Sequence, residues 1–165
     1  MAAIIINPNS GATGRTIMKT NNTDRTSTTT LAADPTLTVP LLAAYVYTIE
    51  LRAVLTISGT TPGVKFRYNC TQTPQAIFST IRYHTTNSAA PGSFTMIERW
   101  NVSNPGETLT QTGAGNYGIV EMRVQLVSHA TLAGSFDFEW AQNTSDAAQT
   151  SVRFGSYIKY ISTPF

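Results

Sequence analysis

Three features of the sequence predict an all-β fold: a composition crowded with β-branched and aromatic residues, several runs in which apolar and polar side chains alternate one by one, and the lack of any run with helical spacing. Threonine alone occurs 27 times in 165 residues, and Val, Ile, Tyr and Phe fill the runs between turns. Such side chains pack well on a pleated surface. With no helices between strands, a parallel βαβ architecture is excluded. An antiparallel β-sandwich remains, in a jelly-roll-like version rather than a lipocalin-like barrel, because the strands do not form an even series of equal hairpins. The length suits one domain with a substantial core.

The first 25 residues differ from the rest. Ile4, Ile5 and Ile6 are followed by Asn7-Pro8-Asn9-Ser10-Gly11 and a polar run rich in Asn and Thr. A stretch of this kind cannot bury enough apolar surface to hold itself in shape. The expectation is an extended N-terminal arm over residues 1–25 ahead of a sandwich over residues 26–165. Arg15, Lys19 and Arg25 against Asp24 give the arm a positive surplus equal to the formal +2 of the whole chain. Ile4, Ile5 and Ile6 would add a short strand or apolar plug to a partner surface, and deletion of residues 1 to about 25 is expected to leave a folded trimer that no longer attaches to its partner.

Thr28 to Ala32 is a short β-prone run, Asp34-Pro35 a turn, and Thr36 to Val39 a strand closed by Pro40. The longest alternation sets Tyr45, Tyr47, Ile49, Leu51, Ala53, Leu55 and Ile57 against Thr48, Glu50, Arg52 and Thr56, which predicts a central strand with one wet face. Gly59 to Gly63 turns the chain into Val64, Phe66 and Tyr68, and the two runs are expected to pair as a hairpin. Ala76 to His84 and Phe94 to Trp100 read as strands, residues 101–116 mostly as loop. Gly118 to Val127 alternates again, with Val120, Met122, Val124 and Leu126 inward.

Leu132, Gly134, Phe136, Phe138 and Trp140 then oppose Ala133, Ser135, Asp137 and Glu139, so the two acids are expected to face water. Asn143-Thr144-Ser145-Asp146 reverses the chain through side chains that hydrogen-bond their own backbone. A last run, Thr150 to Ser162, is interrupted by Gly155, which marks a bulge or bend. In it Tyr157, Lys159 and Ile161 share one face, and Ile158 and Tyr160 the other. Both faces are partly apolar, so one is expected inside the subunit and the other against a neighbouring copy. Trp140 is grouped with Tyr157, Lys159 and Ile161 as a subunit-interface candidate.

Charged residues make up 12% of the chain, too few and too balanced for nucleic-acid binding. No segment approaches the roughly 20 apolar residues of a membrane span, and the start lacks the charged and apolar regions of a signal peptide, so synthesis in the cytoplasm without export is expected. The single Cys70 excludes an intrachain disulfide and has no partner at metal-ligand spacing; it reads as a buried residue at a strand end. His84 and His129 belong to no metal signature, and Ser128 and His129 are neighbours that a strand would place on opposite faces. Asp137 and Glu139 share a face but alternate with buried aromatics, and Gly113-Ala114-Gly115 lacks the rest of a phosphate loop. No catalytic, metal-binding or cofactor-binding residues are expected.

Two motifs carry a resemblance. The strand and turn FDFEWAQNTSDA, leading into SVRFGSYIKYIS, is similar to the closing hairpin of a family of small structural proteins of tailed bacteriophages, which end in a "QWAQN-(S/T)-(S/D)" strand and turn and then an "AGSYL" strand. Upstream, Asp24-Arg25-Thr26-Ser27-Thr28-Thr29-Thr30-Leu31-Ala32-Ala33-Asp34-Pro35 resembles the same family's "D-x-R-x-S-T-T-T-L-A-x-D-P" opening. The resemblance implies a virion structural protein. Its expected role is a head decoration or cement protein, a homotrimer that binds the major capsid protein on the outside of the head, with no nucleic-acid or membrane partner. The alternative is a tail-fibre or tail-tip receptor-binding module that recognises a host glycan.

Overall fold

The computed structural model describes residues 13–59, 62–86, 94–100, 106–109 and 116–165. Among them the chain forms twelve strands: β1 (Thr13–Met18), β2 (Thr23–Arg25), β3 (Ala32–Leu41), β4 (Tyr45–Ile57), β5 (Val64–Cys70), β6 (Ala76–Thr86), β7 (Phe94–Trp100), β8 (Glu107–Leu109), β9 (Asn116–Val127), β10 (Gly134–Gln142), β11 (Thr150–Val152) and β12 (Tyr157–Pro164). They make two antiparallel sheets packed face to face. The larger runs β1-β12-β4-β9-β6-β7, with β11 continuing beside β4 past the end of β12 and carrying β2; the smaller runs β3-β10-β5-β8.

Strands β3 to β10 pair first with last. β3 lies against β10, β4 against β9, β5 against β8 and β6 against β7, as in one long hairpin wound across both sheets. This connectivity corrects two expectations. β4 and β5 do not form a hairpin, because β4 belongs to the larger sheet and β5 to the smaller. Likewise β10 lies in the smaller sheet while β11 and β12 lie in the larger, so the chain's last strands close no hairpin with it. The physical reason is the same in both places: each run has one apolar face, and placing consecutive runs on opposite sheets buries those faces against each other.

The two inner faces supply the core. Phe136, Phe138 and Trp140 of β10 and Phe66 and Tyr68 of β5 are fully buried against Ile49, Leu55 and Ile81 of the larger sheet. Phe66 meets Tyr83 edge-on across the interlayer gap at 5.8 Å, and the Tyr68 hydroxyl is 3.0 Å from Ser79 Oγ. Burying a side chain of this size stabilises by about 1.5–3 kcal/mol. Val120, Met122, Val124 and Leu126 point inward as their alternation predicts, and Cys70 is buried at the end of β5.

Asp34 and Pro35 lie within β3 rather than in a turn, and residues 28–31 form no strand. Asp34 accepts the backbone N–H groups of Thr36 and Leu37, and the register against β10 slips between Asp137 and Glu139. The bulge accommodates a proline that has no N–H to offer the ladder. Pro40 is likewise tolerated because β3 is an edge strand. Between β11 and β12, Gly155 takes φ +81°, the bend that its position in the sequence announces.

The arm boundary also moves. Residues 13–25 belong to the body: β1 pairs with β12 from Thr13↔Ser162 to Met18↔Tyr157, and β2 pairs with β11. Polar sequence was no obstacle, because an edge strand needs only its backbone partners and one covered side. Residues 1–12, with Ile4, Ile5 and Ile6, lie outside the described residues.

Candidate interaction surface

The outer face of the larger sheet is a candidate contact surface, and the register builds it row by row. Antiparallel partners that sit directly opposite share a face, so Tyr157, Arg52, Glu121, Arg82 and Met96 form one row across five strands. Lys159, Glu50, Arg123, Thr80 and Glu98 form the next. Cations and acids alternate along both. Lys159 Nζ is 3.0 Å from Glu50 Oε2, and Arg52 Nε is 3.9 Å from Glu121 Oε1. All four side chains are well exposed, so each pair contributes no more than about 0.2–1 kcal/mol to stability. Their role is a fixed pattern of sign rather than strength.

Beyond these rows the face turns apolar. Val46, Ala76, Phe78 and Val127, with Thr48 and Gln125, line a hollow of about 510 Å³. Ile161 shares the row of Thr48, Gln125 and Phe78. Met18, Val46, Met96 and Ile161, all on this face, are 53%, 41%, 49% and 46% exposed. Large apolar side chains gathered beside patterned charge are the composition of a contact surface.

The residues singled out from the sequence fall into three groups. Tyr157, Lys159 and Ile161 lie on this outer face, with Ile158 and Tyr160 buried behind them. Trp140 does not: it is fully buried in the core, where its Nε1–H reaches Asp34 Oδ2 at 3.3 Å, so it cannot meet a neighbouring subunit. The alternation of β10 had placed it with Phe136 and Phe138 on the core-facing side, and the structure keeps it there.

Two of the three arm cations are likewise engaged within the body. Lys19 is buried against Asp34 at 2.8 Å, and Thr23 Oγ1 accepts its Nζ at 2.7 Å. Arg25 lies over the Trp140 ring at 4.3 Å and donates to the carbonyls of Trp140, Ala32 and Ala33. Burial pushes its pKa down, against the opposing pull of Asp34 and Glu139. A cation removed from water needs such partners: Lys19 is fully enclosed, and Arg25 is half-buried with its guanidinium committed to the body. Arg15 alone of the three stays exposed, on β1.

The acids of β10 are covered rather than wet. Asp137 and Glu139 are each 8% exposed: Asp137 accepts from Ser135 Oγ at 2.8 Å, and Glu139 from Arg67 Nε at 2.5 Å and Asn69 Nδ2 at 3.1 Å. Strand β5 supplies the partners of Glu139, which the sequence of β10 alone does not reveal, while Ser135 of β10 itself serves Asp137. Ser128 Oγ accepts the Tyr45 N–H, and His129 Nδ1 accepts the N–H groups of Thr131 and Leu132. The first ties the end of β9 to the start of β4, and the second closes a turn. Among the described residues no group of His, Cys, Asp and Glu is placed to hold a metal ion, and no helix is long and apolar enough to cross a membrane. The side chain of His84 lies outside the described residues.

Compared with known family models and with curated proteins, the chain matches none.

Proposed function

We propose that this protein is a structural component of a tailed-phage virion: a decoration or cement protein that binds the outside of the head as a homotrimer and bridges major capsid proteins. The observation that carries the reading is the outer face of the larger sheet, where two rows of alternating charge run into an apolar hollow. Such a face suits a rigid protein contact in which charge sets the register and apolar groups supply affinity. The first-with-last pairing of β3 to β10 supports a jelly roll, an architecture used in viral shells. The resemblance of the two sequence motifs points the same way.

On this reading Tyr157, Lys159 and Ile161 contact a neighbouring subunit, and Ile4, Ile5 and Ile6 attach to the capsid. A protein that binds only the assembled lattice stabilises it by mass action, and three linked attachment points raise the effective affinity. The protein would be made in the host cytoplasm and reside on the virion exterior. A symmetry-resolved image of the intact virion tests this: density for the sandwich is expected over the head lattice. Its absence from mature particles, or a lone monomer in solution, would overturn the reading.

The second reading, a tail module that recognises a host glycan, is favoured by one observation, a notch lined by three tyrosines and an arginine at one end of the sandwich. Copies confined to the tail would decide for it.

A further inference from the structure

Where β1, β12 and β4 meet the end of β3, the two sheets part around a notch of about 200 Å³. Arg15, Tyr45, Tyr47, Tyr160 and Ser162 line it. The register explains how residues so distant in sequence converge: Arg15 lies opposite Tyr160, and Ser162 opposite Tyr47, in adjoining ladders. The Tyr45 and Tyr47 rings are 6.2 Å apart, those of Tyr47 and Tyr160 6.1 Å, and both pairs are tilted by just over 40°. Together the three rings form a wall in which Tyr45 is half-buried and Tyr47 and Tyr160 are 1% and 5% exposed, so Tyr45 offers the ring surface and the other two their hydroxyls.

The polar groups of this wall are unspent. Tyr47 accepts the Leu42 N–H at 2.7 Å, which leaves its own O–H free to donate. Among the described residues nothing hydrogen-bonds the Arg15 guanidinium, the Tyr45 and Tyr160 hydroxyls or Ser162 Oγ, and no acid lines the notch. A guanidinium is a planar fork that matches a carboxylate bidentately. Hydroxyls able to donate and accept suit a ring carrying hydroxyls, and aromatic faces cover its C–H edges. The space takes one such ring.

We infer that the notch binds a carboxylate-bearing monosaccharide unit, held by Arg15 through its carboxylate and by the tyrosine wall through its ring. The inference deepens the glycan-recognition reading and rests on it for the source of the sugar; the notch itself belongs to the subunit wherever the virion carries it.

The experiment is a titration of the full chain, followed by saturation-transfer NMR, with glucuronic acid and N-acetylneuraminic acid as probes and glucose and inorganic phosphate as comparisons. At least one acidic sugar is expected to bind about tenfold more tightly than glucose. Arg15→Ala should lose about tenfold in affinity with a melting temperature near wild type, since Arg15 is exposed; Tyr45→Leu, which keeps apolar bulk against the core but removes the ring and its hydroxyl, should lose about as much. Arg15→Gln, which keeps the stem of the side chain, serves if Arg15→Ala melts early. Acidic sugars binding no better than glucose, phosphate displacing them at equal concentration, or binding that survives loss of the Arg15 charge would each overturn the inference. Copy number per particle, measured separately, decides head against tail, so failure of sugar binding and failure of the tail reading are told apart.

Discussion

Lys19 and Asp34 form an ion pair sealed inside the protein: Nζ lies 2.8 and 3.0 Å from the two carboxylate oxygens, and the residues are 2% and 0% exposed. The pair ties the end of β1 to β3, and through Trp140 Nε1 to β10. It therefore fastens the first described strand, a member of the larger sheet, to two strands of the smaller one.

Removing one member of this pair leaves an uncompensated buried charge. Lys19→Met is expected to destabilise by about 3–5 kcal/mol, read as a fall in the urea midpoint. The double variant Lys19→Met/Asp34→Leu should lose less than the two single variants added together. A loss below about 1 kcal/mol for Lys19→Met would mean that water reaches the site.

Truncation should divide sharply at the start of β1. Deleting residues 1–12 is expected to leave the melting temperature near wild type while attachment to capsids is lost. Deleting residues 1–25 removes β1, β2 and Lys19, exposes the edge of β12 and leaves Asp34 without its cation. That shorter chain should melt far lower or aggregate, which circular dichroism and light scattering would report.

Alkaline pH should weaken the fold through buried acids that are neutral when folded. Burial pushes the Cys70 thiol from 9.0 up to about 12, and burial also raises Tyr47 and Tyr68 above 10.0. Each group keeps its proton longer in the folded state, so its contribution is complete below the unfolded pKa and is lost as pH rises through the folded one. Unfolding free energy should fall between about pH 9 and 12, more gently in Cys70→Ala. A flat profile over that range would show that these groups ionise without unfolding.

Substitutions on the outer face should separate attachment from folding. Val46→Asp and Ile161→Asp alter side chains that are 41% and 46% exposed, so stability should stay within about 0.5 kcal/mol of wild type. Trimer assembly, followed by sedimentation velocity, should weaken at least about tenfold, and avid attachment to expanded heads should fall with it. Arg52→Glu should shift the salt dependence of attachment instead, because it inverts one sign in an alternating row. Unimpaired sedimentation of all three variants would move the contact off this face.

Local alternation was enough to find β4, β7, β9 and the inward set Val120, Met122, Val124 and Leu126, because a strand with one covered face writes its period directly into the chain. It was also enough to separate Tyr157, Lys159 and Ile161 from Ile158 and Tyr160. What it could not decide is which strand lies beside which. That choice depends on how two sheets bury their apolar faces together, and it set β4 apart from β5 and β10 apart from β12. Asp137, Glu139, Lys19 and Arg25 look solvated one residue at a time. Only the packed structure supplies the partners that allow them to leave water, and only the ladder register brings Arg15 to three tyrosines from other strands.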